Sequence, residues 1–169
     1  YEGVRPTSDR AREAVFNILS SKLAGDWAAC DMLDVFAGTG AVGLEALSRG
    51  VRSVTLLDVN LQTARRNAAL FAKEKDRISL ISADASRLPS APRQYNLVFL
   101  DAPYNKGLSV AALQSLAGQG WLADGALVLV ELEKNEPLEM ESIPFFEQVD
   151  ERRYGLARVV FLHFLPAKK

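Results

Sequence analysis

Four aspartates punctuate this sequence in the same way. Asp34, Asp58, Asp84 and Asp101 close the apolar runs "DMLDVF", "SVTLLD", "RISLISAD" and "YNLVFL", sitting at or directly after the last residues of each. Carboxylates at the ends of buried strands can accept hydrogen bonds from a ligand lying across those ends, which is where open α/β sheets bind. Between the first two stands "GTGAVG", with Gly38, Gly40 and Gly43 in a G-x-G-x-x-G pattern. Alone the pattern is common. Between a strand-like run and a helical one, it is the setting in which glycines let backbone approach a ligand closely. Asp58 follows Gly38 by twenty residues, the separation at which an acid reaches both hydroxyls of a ribose. Plainer roles exist, a helix N-terminal charge for Asp58 and a loop cap for Asp84. Taken together, the acids and glycines lead us to expect a nucleoside-containing cofactor.

Two cofactor classes compete. A nicotinamide enzyme would set a pyrophosphate on the helix N-terminus. A methyltransferase would bind S-adenosylmethionine, which has no phosphate. Asp34, four residues before Gly38, favours the second: its charge helps beside a cationic methionine end and hinders beside a pyrophosphate. Asp84 is suited to accept a hydrogen bond from an adenine amino group. That leaves Asp101 for a second substrate.

Asp101 opens the stretch "DAPY", Asp101-Ala102-Pro103-Tyr104. An exocyclic base nitrogen is a poor nucleophile because its lone pair is delocalised into the ring. Acceptors for its N–H groups favour a more tetrahedral nitrogen with the lone pair aimed at the methyl. Asp101 supplies one acceptor and the Ala102 carbonyl another, with Pro103 biasing Ala102 toward an extended conformation. Tyr104 offers a stacking face, worth about 1–3 kcal/mol per base, for a base that must be unstacked to enter. The bland reading is a turn in which Asp caps, Pro bends and Tyr packs.

The elements that would position these groups alternate. "RPTSDRAREAVFNILSSKLAG" is an amphipathic helix with Ala11, Ala14, Val15, Ile18 and Leu19 on its apolar face and Arg10, Glu13 and Asn17 on the other. "LEALSRG", "NLQTARRNAALFAKEK" and "LSVAALQSLAGQG" are further helices, the second with Ala64, Ala68 and Phe71 inward. "ALVLVELE" is a fifth strand. "FFEQVDERRY" and "ARVVFLHFL" flank Gly155, too short a link for a crossover, so they should pair antiparallel. The expected fold is α/β and Rossmann-like: a mostly parallel seven-stranded sheet, helices on both faces, and a C-terminal antiparallel hairpin.

Length and composition bound the rest. The 169 residues suit one domain, taken as 1–169, with room for a real core. No apolar run approaches a membrane span. The lone Cys30 cannot form an internal disulfide and reads as a buried apolar residue. This favours a cytoplasmic protein. A net charge of −1 argues against broad nonspecific nucleic-acid binding, although Arg5, Arg10 and Arg12 cluster near the start. His163 is read as structural or exposed rather than as a catalytic base, and no metal is expected. The chain opens on Tyr1 rather than Met, and upstream residues are expected to be missing.

DAPY resembles the [DNS]-P-P-[YF] tetrapeptide of amino-group methyltransferases. "LDVFAGTGAVGLEALSRG", "RPTSDRAREAVFNIL" and "GWLADGALVLVE" resemble the RsmD-type family, the bacterial 16S ribosomal RNA guanine-N2 methyltransferases, over nearly the whole chain. The resemblance implies a class I methyltransferase fold, S-adenosylmethionine as donor, and one guanine of the small-subunit RNA as target, read within the small ribosomal subunit by what is expected to be a monomer. It implies Asp34, Phe36, Ala37, Gly38, Thr39, Gly40, Asp58, Val59, Asp84 and Ala85 around the cofactor. Asp101, Ala102, Pro103 and Tyr104 would then hold the base, and Arg5, Thr7 and Arg10 would contact RNA or order the cofactor pocket. Two departures stand out. Ala102 replaces the first of the family's two prolines, and the basic, glycine-containing segment usually found before "RPT" is not in this sequence. Rival readings are an amino methyltransferase of DNA adenine or protein glutamine, a nicotinamide-dependent oxidoreductase, and a noncatalytic RNA-binding module.

Overall fold

The computed structural model describes residues 9–103 and 107–166. Along the chain lie α1 (Asp9–Lys22), β1 (Asp31–Val35), α2 (Ala41–Ser48), β2 (Ser53–Asp58), α3 (Gln62–Ala68), β3 (Ile78–Ser82), β4 (Tyr95–Leu100), α4 (Leu108–Gly118), β5 (Leu122–Glu133), β6 (Phe146–Tyr154) and β7 (Ala157–Phe164). The strands form one seven-stranded sheet in the order β3-β2-β1-β4-β5-β7-β6. β1 to β5 run parallel, and β7 pairs antiparallel with both β5 and β6. The hairpin closes through Gly155 at positive φ, as a tight two-residue turn requires.

Strand alternation sorts the core into two layers. Met32, Leu97, Phe99, Leu127 and Leu129 face α1 and α2, where Val15, Phe16, Leu19, Leu44 and Leu47 meet them. Leu33, Val35, Val98, Leu100 and Val128 face α4, whose Ala112, Leu113 and Leu116 pack on them. Both faces of β1 are therefore covered, and all five of its residues are buried, as the solidly apolar early strands imply. The buried polar groups of Tyr95 and Trp121 are satisfied: Tyr95 Oη and Thr55 Oγ1 are 2.9 Å apart, and Trp121 Nε1 donates to the Pro89 carbonyl at 2.8 Å. Cys30 is buried, and burial pushes its thiol pKa up, so it is not a ready nucleophile.

Three elements differ from expectation, β5 among them, which begins at Leu122 rather than at the expected Ala126 of "ALVLVELE". The helix expected over "NLQTARRNAALFAKEK" is α-helical only to Ala68; a tighter 3₁₀ stretch follows to Arg77, broken at Phe71 (φ −107°, ψ 49°). The break lets Phe71 pack on the core beside Ala64 and Ala68 while its neighbour Leu70 stays exposed. On α1, the buried stripe is Ala11, Val15, Phe16 and Leu19, with Ala14 and Ile18 only half-buried at its edge. Phe16 earns its place by packing on Trp27, ring centroids 5.9 Å apart.

Candidate active site

The turn after β1 is built around backbone strain and close approach. Phe36 takes φ 61°, a left-handed conformation uncommon for a non-glycine residue. Ala37 N–H reaches across to the Leu57 carbonyl of β2 at 3.0 Å, and Gly40 N–H returns to the Ala37 carbonyl at 2.7 Å. Gly40 sits at φ 82° as the cap of α2, where a Cβ would lie 2.9 Å from Leu56. Gly43, one turn into α2, could carry a Cβ only at 2.5 Å from Leu56 Cδ2 and 2.9 Å from Val54 Cγ2. Here glycine brings α2 onto the sheet, so that the loop between β1 and α2 lies low over the strand ends.

Asp34 sits beneath that loop, 2% exposed. Its Oδ2 accepts the Gly43 N–H at 3.0 Å, tying the start of α2 to β1. Burial pushes its carboxyl well above the usual aspartate range; the Gly43 bond opposes this, and the charges of Asp101 and Asp58 push it further up. Three carboxylates thus crowd one strand-end region and disfavour the Asp34 anion, an arrangement that favours a cationic ligand group. Asp58, the last residue of β2, accepts from Gly38 N–H on Oδ2 and from Val59 N–H on Oδ1, each at 2.8 Å. A carboxylate has about four acceptor positions, so lone pairs remain for two hydroxyls. Thr39 is held in turn by Asn67 Nδ2, which donates to its carbonyl at 2.9 Å. Val59 is exposed beside Asp58.

Asp84 is exposed and does what a loop cap does: Oδ1 accepts Ser86 N–H at 2.9 Å and Ser86 Oγ–H at 2.7 Å. Ser86 holds its carboxyl below the usual range. Ala85 beside it is buried. Asp101 follows β4, half-buried, its N–H aimed at the Val35 carbonyl at a long 3.4 Å. Ala102 is buried and Pro103 exposed. Arg10 lies exposed in the first turns of α1. Arg5, Thr7 and Tyr104 lie outside the described residues. His163 pairs with Leu127 in β5, on the part of the sheet away from the carboxyl ends. Among the described residues, no group of three or more His, Cys, Asp or Glu side chains is arranged to hold a metal ion, and no helix is long and apolar enough to cross a membrane.

Sequence reasoning missed one acid. Glu131, hidden in the apolar run "ALVLVELE", is 1% exposed, and the β4–β5 register, Leu100 opposite Val130, sets it beside Asp101. The only signal was a charge interrupting a run that reads as core.

A parallel sheet whose seventh strand inserts antiparallel between the fifth and sixth, with a glycine turn after β1 and acids at successive strand ends, defines a class I, S-adenosylmethionine-dependent methyltransferase. Solved structures agree: the Haemophilus influenzae protein HI0767 (26% identical, 92% of this chain and 99% of that one, TM-score 0.78) and the Escherichia coli protein yhhF (30% identical, 98% and 90%, TM-score 0.77). N-methyltransferase NodS from Bradyrhizobium japonicum, in complex with S-adenosyl-L-homocysteine, shares the fold at 15% identity (95% and 89%, TM-score 0.69). The chain belongs to the RsmD family, described as Conserved hypothetical protein 95, whose pattern matches residues 1–163. It is similar to ribosomal RNA small subunit methyltransferase D of Haemophilus influenzae, 35% identical over 147 residues (81% of this chain), and of Escherichia coli K12, 39% over 135 (78%). It spans 72% and 65% of the length of these two relatives.

Proposed function

We propose that this protein transfers the methyl group of S-adenosylmethionine to the exocyclic N2 of a guanine in 16S ribosomal RNA. When bound, the donor supplies an electrophilic methyl carried on a sulfonium. The residues present fit it: the buried carboxyl of Asp34, crowded by Asp58 and Asp101, gains a compensating positive charge, and the glycine turn leaves the backbone at Gly38 open to a ligand. Phe36, Ala37, Thr39, Val59 and Ala85 line the same turn and strand ends. Asp58 keeps acceptor positions for ribose hydroxyls. Asp84 has Oδ2 facing Arg87 only at 3.9 Å, which leaves an acceptor for an adenine amine.

The observation that carries the reading is the juxtaposition of Asp101 with Asp34 at the ends of adjacent paired strands. Asp101 and the Ala102 carbonyl accept the two N2–H bonds, so the nitrogen lone pair points toward the methyl. Held beside that nitrogen, the donor would supply the methyl for a new C–N bond and would keep the electron pair of the broken carbon–sulfur bond on sulfur. The surplus proton on nitrogen leaves to Asp101 or to water. Tyr104 stacks on the unstacked base, and Arg5, Thr7 and Arg10 contact RNA. The target is presented within the small subunit, which allows a cytoplasmic monomer of net charge −1 to act without a broadly basic surface.

The test uses small subunits from cells lacking the cognate enzyme, labelled donor, and mapping of the modified nucleotide. Label at one guanine N2 is expected. Label on another base, or uptake only by duplex DNA or by a release factor, overturns the reading.

A further inference from the structure

The inner face of α1 carries a charge. Arg12, Val15, Phe16 and Leu19 follow helical spacing and line one cavity between α1 and the sheet. The opposite wall is apolar except for one residue, Glu131, which turns to the same side of β5 as Leu129. A half-buried cation and a buried anion therefore face one small space of about 20 Å³, room for about one water. Apolar side chains would fill that interface at lower cost, because desolvating a charge often outweighs the attraction it gains. What a facing charge adds is register: sliding α1 along the sheet would carry Arg12 away and leave the buried Glu131 in apolar surroundings, at several kcal/mol.

The register matters because of what lies on either side. Glu131 stands beside Asp101 across the β4–β5 pair. The first turns of α1 carry exposed Arg10. The far end of α1 is fastened separately: Lys22 Nζ lies 2.8 Å from Asp150 Oδ2 and 4.9 Å from the centre of the Phe161 ring.

We infer that Glu131 is a positioning residue for methyl transfer, acting through Arg12 to hold the first turns of α1, and the RNA contacts they carry, in register with Asp101. The inference rests on the reading of an RNA substrate given above.

The test compares wild type with Glu131→Gln, Arg12→Met and the double variant Arg12→Met/Glu131→Leu. The double variant is the informative one, because replacing both charges by apolar groups leaves no buried charge unpaired. It is expected to melt at or above the wild-type temperature and to bind S-adenosylhomocysteine within about threefold of wild type. Its kcat/KM on small subunits should fall at least tenfold, mostly through KM, and its loss should not exceed that of the worse single variant. Hydrogen exchange, which needs no substrate, should quicken in residues 10–16 and not in 17–22. A double variant with wild-type kcat/KM and exchange overturns the inference; so does a loss of cofactor affinity matching the loss of turnover. If wild type itself methylates no small subunit, the RNA reading fails, and the exchange comparison still decides whether the pair sets the helix.

Discussion

Asp34 performs two tasks that pull its protonation in opposite directions. It accepts a hydrogen bond from Gly43, which favours the anion, yet burial and the neighbouring Asp101 and Asp58 favour the acid, and burial dominates. Because its folded-state pKa is raised, the folded protein holds this proton more tightly than the unfolded chain does. The associated stability is therefore complete at low pH and is lost as pH rises through Asp34's raised pKa, at a slope of up to about 1.4 kcal/mol per pH unit. Asp34→Asn keeps an acceptor for Gly43 and removes the titration. Melting curves from acid to neutral pH should show wild type losing ground to the variant as pH rises; parallel curves would mean that Asp34 is not protonated in the fold. In the proposed mechanism Asp101 belongs to the chemistry instead. Asp101→Ala should lower turnover by about 10²- to 10⁴-fold, the usual worth of a positioned proton acceptor. Calorimetric affinity for S-adenosylhomocysteine should hold within about threefold, and a parallel fall in both would make Asp101 a cofactor ligand.

At the scale of elements, Gly43 sets two opposing terms against each other. Alanine is the better helix former by about 1 kcal/mol. Yet its Cβ would press on Leu56 and Val54, both fully buried, and sit 3.2 Å from Asp34 Oδ2, an overpacking that costs about 1–3 kcal/mol. Overpacking should win: Gly43→Ala is expected to lower the melting midpoint by about 2–8 °C and to weaken cofactor binding as α2 lifts from β1. A raised midpoint would show that α2 tolerates the shift. The same elements show what could be read in advance. β2 and β4 were legible to the residue because "SVTLLD" and "YNLVFL" are apolar runs bounded by polar turns, and their terminal acids were legible with them. The end of α3 was not, because the break at Phe71 depends on which of two adjacent apolar residues reaches the core. Arg12 and Glu131 were not either. Each looks like an ordinary surface charge until the fold sets them on facing walls of one cavity, 119 positions apart in the chain.

For the whole molecule, charge distribution constrains how RNA is held. The net charge is −1, and Asp34, Asp58, Asp84, Asp101 and Glu131 all gather toward the carboxyl ends of the strands. That region suits a cationic donor and a base edge rich in N–H groups, and it repels phosphates. Phosphate contacts must therefore come from the surrounding surface, where the proposed set holds two cations, Arg5 and Arg10. Counterion release makes this measurable: each single-strand phosphate neutralised contributes about −0.7 to the slope of log affinity against log salt. Binding to a 16S RNA fragment that carries the target should have a slope of about −1.4, corresponding to roughly two phosphates. Fluorescence anisotropy across a salt series reads it directly. A slope near −6 would require a broad basic face, which a net charge of −1 argues against, and would shift the contacts away from α1. A shallow slope, with much tighter binding to the small subunit than to the fragment, is the behaviour of an enzyme that takes its specificity from the base and from the assembled surface around it.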